Sequence, residues 1–70
     1  MKAEHLTAGD WFKREGDWRV FRRTPGEPRA VEGQDCIPVQ SLQPVPSRQV
    51  GFIPSNEEVA LNKEQFIRIA

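Results

Sequence analysis

Apolar positions are densest between Gly9 and Arg23, where Trp11-Phe12 and Trp18-Arg19-Val20-Phe21 flank Glu15-Gly16-Asp17. Aromatic and β-branched residues interleaved with charges suit a pleated surface with one buried face. Gly16 supplies the positive φ of a tight turn without steric cost. The segment therefore predicts a β-hairpin, with two registers open. A two-residue loop at Gly16-Asp17 sets Phe12 opposite Phe21 and Arg14 opposite Arg19. A three-residue loop over 15–17 instead sets Trp11 opposite Phe21, Phe12 opposite Val20 and Arg14 opposite Trp18. Side chains alternate between faces, so this one-residue slip decides which aromatic is core and which is surface.

Before the hairpin, Leu6 is the expected first core contact, and Thr7-Ala8-Gly9-Asp10 reads as a turn. After it, residues 24–35 carry two Pro and two Gly and read as a long loop, with a brief extended piece at Ala30-Val31. Residues 36–42 alternate loosely, and Pro38 suggests an edge strand or a strand start. Gln43-Pro44-Val45-Pro46-Ser47 is a rigid connection. Residues 48–53 predict a strand with Val50 and Phe52 on one face, stopped by Pro54. Ser55-Asn56-Glu57-Glu58 has the spacing of a capping box, so a single helical or 3₁₀ turn is expected through Val59 or Leu61. Residues 65–69 alternate and read as a final strand, with a helix from Lys63 as the alternative. Four to five short antiparallel strands, Pro/Gly turns and one short 3₁₀ or helical turn indicate a small all-β barrel occupying 1–70 as a single domain. Closing the sheet also removes exposed edges.

Seventy residues bury too little surface to enclose a deep substrate cavity in most architectures. The 10 basic and 10 acidic residues cancel, so no global field draws the chain to nucleic acid or membrane. Locally, Lys13, Arg14, Arg19, Arg22, Arg23 and Arg29 outnumber Glu15, Asp17 and Glu27. Cys36 is the single cysteine, which excludes an intramolecular disulfide and suits a reducing compartment. It reads as a small buried hydrophobe. His5 stands alone, without the partners a metal site needs. There is no Gly-rich phosphate loop, and Glu57 and Glu58 at a turn start suit capping rather than acid–base chemistry. A non-enzymatic protein without cofactor or metal is expected. The N-terminus lacks the apolar run of a signal peptide and no segment is long enough to cross a membrane, so a soluble, cytoplasmic protein is expected.

Two segments carry a family resemblance. Gly51-Phe52-Ile53-Pro54-Ser55-Asn56, followed by Val59, resembles the part of SH3 domains that ends a strand and enters a 3₁₀ turn. Gly16-Asp17-Trp18 is similar to the acidic, tryptophan-containing end of the SH3 n-Src loop. The resemblance implies an SH3-like barrel in which Trp18 and Pro54 help form a groove for Pro-rich peptides. Glu57 stands where the family has a tyrosine, the chain contains no tyrosine, and the Ala-Leu-Tyr-Asp-Tyr type motif is missing. Leu6-Thr7-Ala8-Gly9-Asp10-Trp11-Phe12 also resembles the opening of small barrels encoded by bacteriophages and prophages, which implies an accessory protein.

Large aromatics beside arginines have the composition of a binding hot spot. The candidate partner-binding residues are Trp11, Trp18, Arg19, Phe21, Arg22, Arg23 and Pro54, and the expected partner is a protein, the chain itself being a monomer or a homodimer. Nucleic-acid binding is the alternative, with Arg14, Arg19, Arg22 and Arg23 near Trp18 as a basic, stacking face.

Overall fold

The computed structural model describes residues 1–63. The segment 65–69, expected as a strand or as part of a helix from Lys63, lies outside the described residues. A 3₁₀ turn at Ala3–His5 precedes six strands: β1 (Trp11–Arg14), β2 (Val20–Arg23), β3 (Arg29–Val31), β4 (Gln34–Ser41), β5 (Gly51–Pro54) and β6 (Val59–Leu61). Every ladder is antiparallel, and the fold is all-β. The sheet runs β5-β4-β2-β1-β6, with β3 also paired to β4. Its two end strands, β5 and β6, follow one another in the chain.

The β1–β2 ladder takes the first of the two registers, with Phe12 opposite Phe21 and Trp11 opposite Arg22. The turn itself is centred one residue earlier than the Gly16-Asp17 loop expected: the Asp17 N–H donates to the Arg14 carbonyl (3.2 Å), and Gly16 has φ 77°. This register puts Phe12 and Phe21 on the inner face, their rings stacked 5.7 Å apart. They pack with Ala3, Leu6, Ile37, Val39, Ile53 and Val59 in one core. Phe12 and Ile37 are the largest side chains fully removed from solvent.

β4 is the strand on which the sheet is built, and its Pro38 corrects the expectation of an edge strand. Residues 34–36 of β4 pair β3 and residues 39–41 pair β2, while 36–39 pair β5. The Pro38 carbonyl accepts from the Thr24 N–H (3.2 Å), just beyond the end of β2. In an extended chain the N–H and C=O of one residue point the same way, so the donor that Pro38 lacks falls in the gap between β2 and β3. The Thr24 carbonyl, which that N–H would have met, instead accepts from Arg23 Nη1.

Other boundaries also differ from expectation. The loop after β2 contains β3, because Glu32 (φ 52°) and Gly33 (φ 80°) form a two-residue turn with both φ positive, the geometry that matches strand twist. The strand expected over 48–53 begins only at Gly51, and Ile53 rather than Val50 or Phe52 enters the core. The expected helical turn after Ser55 is a single tight turn closed by the Glu57 N–H on the Pro54 carbonyl (3.1 Å). Val59–Leu61 then extend as β6, since β1 has a vacant edge that Phe12, Lys13 and Arg14 offer to Leu61, Ala60 and Val59. The N-terminal segment covers this turn, with the Ala3 N–H donating to Glu57 O and the Glu4 N–H to Ser55 O, both at 2.8 Å.

Candidate interaction surface

The tip of the first hairpin is held by side chains rather than by ladder bonds alone. Asp17 Oδ1 accepts from the Arg19 backbone N–H at 2.9 Å and from Arg19 Nε at 3.1 Å. Asp17 Oδ2 accepts from Arg19 Nη2 at 2.8 Å. An aspartate bonding the backbone two residues on fixes the turn locally. Trp18, the residue between the two clamped ones, is left 66% exposed. The Arg19 side chain, aided by its backbone N–H, holds the Asp17 carboxyl down at about 2, and the same contact raises the Arg19 guanidinium.

Arg19 and Arg14 both lie over the Phe21 ring, with guanidinium carbons 5.1 Å and 5.8 Å from its centroid. Two cations at this end of the core repel, and each has its own carboxylate. Arg14 binds Glu57 through two hydrogen bonds of 2.7 Å, from Nε to Oε2 and from Nη2 to Oε1. That fork geometry, with the hydrogen bond to Glu57 as the leading cause, raises the Arg14 guanidinium above its ordinary value. Glu57, expected as a capping residue, is therefore a counter-ion. No spacing rule points to a partner 43 positions away; the one available signal is that an arginine on the inner face of a strand needs an anion.

The seven candidate residues divide accordingly. Phe21 is a core residue, 5% exposed, so its placement on a binding surface is corrected: the register turns it inward under Arg14 and Arg19. Trp11 is half-buried and sits directly opposite exposed Arg22 on the outward face. Arg22 Nη2 donates to Gln40 Oε1 (2.6 Å), extending this polar row onto β4. Arg23 is used locally, by the Thr24 and Gly26 carbonyls. Trp18 and Arg19 form the tip. Pro54 ends β5, on the far side of β4 from this hairpin. Two shallow clefts adjoin the hairpin, one lined by Arg14, Glu15, Gly16, Asp17, Glu57 and Glu58, the other by Lys13, Arg14, Glu15, Glu58, Val59 and Ala60. Neither Trp18 nor Pro54 lines them, so these clefts are not the groove that the SH3 resemblance implied.

Two residues outside the candidate set form a second exposed aromatic–arginine pair. The Arg29 guanidinium lies over the Phe52 ring at 5.1 Å, reaching across Cys36 from β3 to β5. Cys36 beneath them is buried and its Sγ faces the Gln34 carbonyl (3.5 Å). Among the described residues no group of three His, Cys, Asp or Glu side chains is placed to hold a metal ion. No described helix is long and apolar enough to cross a membrane. No protein-family model, curated protein or solved structure matches the chain.

Proposed function

We propose that this chain is a small, non-catalytic protein-interaction module of the SH3-like barrel type that engages a protein partner through the tip of its first hairpin. The observation that carries the reading is Trp18, a large aromatic left two-thirds exposed between two residues clamped to each other. A rigid, exposed tryptophan loses little conformational freedom on binding and contributes a large apolar contact, as interface hot spots do. The barrel reading is supported by the strand path, whose two ends are consecutive strands joined through residues 55–58. The likeness of Leu6–Phe12 to small phage and prophage barrels extends the proposal to a cytoplasmic accessory protein of such a system.

Nucleic-acid binding is the weaker reading, because Arg14 and Arg19 are already paired with Glu57 and Asp17. Phosphate binding at this face would have to compete with those carboxylates. Affinity capture from the source cells, with and without nuclease, separates the two. The protein-module reading expects a discrete protein recovered after nuclease treatment and lost with Trp18→Ala, while the circular dichroism spectrum of the variant stays unchanged. Recovery that vanishes with nuclease, or that falls steeply with salt, assigns the face to nucleic acid instead.

A further inference from the structure

We propose that the outer edge of β5 receives an extended, carboxylate-bearing segment of a protein partner as an added strand. This surface is separate from the Trp18 tip and stands or falls independently of it.

The backbone sets the first condition. Asp35 accepts from the Ser55 N–H at 2.9 Å, so odd-numbered β4 residues turn their polar groups towards β5, and Pro38 turns its carbonyl the other way, towards Thr24. Phe52, opposite Pro38, therefore belongs to a non-hydrogen-bonded pair and points its own N–H and C=O away from β4. Neither group has a partner among the described residues. The N-terminal segment covers the chain only from Ser55 onward, and the Pro54 carbonyl is taken by the Glu57 N–H, so the open groups on the edge of β5 are those of Phe52. An unpaired donor and acceptor on a strand edge are what an incoming strand uses.

The side chains set the second condition. Val50 and Phe52 are exposed, by 53% and 36%. Arg29 lies over the Phe52 ring, and Arg48 is exposed just before the strand. Neither arginine has a carboxylate partner among the described residues, unlike Arg14 and Arg19. A second copy docked edge to edge would set these cations against their own equivalents, and like charges at close range are disfavoured. A partner strand with acidic residues on the Phe52 face and small apolar residues on the other meets both the charges and the backbone groups.

The test uses the peptide acetyl-Thr-Val-Glu-Val-Asp-Val-Thr-amide, whose two acids share one face of an extended chain. Controls are the same peptide with Lys for both acids and the same peptide N-methylated at both acids, which cannot complete the ladder. Titration into the ¹⁵N-labelled protein should shift the amides of Gly51, Phe52 and Arg29 saturably. The Lys peptide should bind at least about tenfold more weakly, the difference expected when a charge-assisted contact is lost. The N-methylated peptide should not bind, and Arg29→Ala should weaken binding of the acidic peptide alone. The proposal is overturned by absent saturation, by equal binding of the Lys or N-methylated peptide, by shifts centred on Trp18, or by self-association through β5 in sedimentation.

Discussion

Arg14 and Glu57 meet in a two-bonded ion pair across the end of the core, linking the first strand to the turn before the last described one. Their side chains are 32% and 23% exposed, so the pair is neither fully screened nor fully desolvated. Removing Glu57 leaves a partly buried guanidinium over Phe21 without its anion, beside the like charge of Arg19. Glu57→Gln should therefore cost about 1–2 kcal/mol, between the values for exposed pairs and for buried ones. Urea unfolding of Glu57→Gln, Arg14→Met and the double variant tests this. A double variant no less stable than the worse single one shows coupling; additive losses would contradict it.

Phe12 is the position the fold tolerates least. Its side chain is fully buried and stacked on Phe21, at the crossing of the β1–β2 and β1–β6 ladders. Truncating a buried Phe to Ala costs about 3–5 kcal/mol. A chain of this size is stable by roughly 5 kcal/mol. Phe12→Ala should leave little folded protein at room temperature, whereas Trp18→Ala should shift the urea midpoint hardly at all. Near-ultraviolet circular dichroism and the urea midpoint distinguish the two. Folded, cooperative Phe12→Ala protein would mean that this packing contributes far less than its burial implies.

Alternation and turn chemistry made the hairpin from Trp11 to Arg23 legible, along with the core role of Leu6 and the all-β class. The register was not legible, because one solution sets Phe12 beside Phe21 and the other sets it beside Val20, and both place an aromatic beside an arginine. Three-dimensional packing chose between them through Ile37, Val39 and Val59, all distant in sequence. Pro38 misled for a physical reason: a proline is excluded from a central strand only where its missing N–H would face a partner. Here the gap between β2 and β3, and the Arg23 guanidinium on the Thr24 carbonyl, remove that need. Residues 55–58 have the composition of a helix start, but the vacant edge of β1 drew the following residues into a strand. Of the candidate surface, neither the exposure of Trp18 nor the burial of Phe21 was legible before the register and the Asp17–Arg19 clamp were known. Arg29 over Phe52 joins strands that are not neighbours, and nothing local marks such a pair.

Glu32 is the one non-glycine residue described with positive φ, at 52°, in the turn between β3 and β4. Gly33 beside it suits its own φ of 80°, but a glutamate in the left-handed region carries a conformational cost that asparagine largely avoids. Glu32→Asn should therefore stabilise the protein by about 0.5–1 kcal/mol without altering any contact, since the side chain is exposed. Gly33→Ala should do the opposite. Thermal unfolding of both variants reads the result; destabilisation by Glu32→Asn would place a favourable role on the carboxylate itself.

Asp17 makes the hairpin tip sensitive to acid. Its carboxyl lies at about 2, below the ordinary value of about 3.9, chiefly because the Arg19 side chain and backbone N–H bind the ionised form. A depressed folded value means that the charged form is favoured by folding. The contribution is thus fully present above the unfolded value and is lost as pH falls from about 4 towards about 2. Asp17→Asn removes this term, so the stability gap between wild type and variant should be constant from about pH 7 to about pH 5. It should then shrink steadily below about pH 4 as the wild-type carboxyl takes up its proton. Losing the clamp also frees Trp18, whose fluorescence should change over the same acid range in the wild type and stay flat in the variant. Urea midpoints across this range, with tryptophan emission read alongside, test both statements. A gap that persists unchanged to about pH 2 would mean that the Asp17 carboxylate does not hold Arg19 in solution.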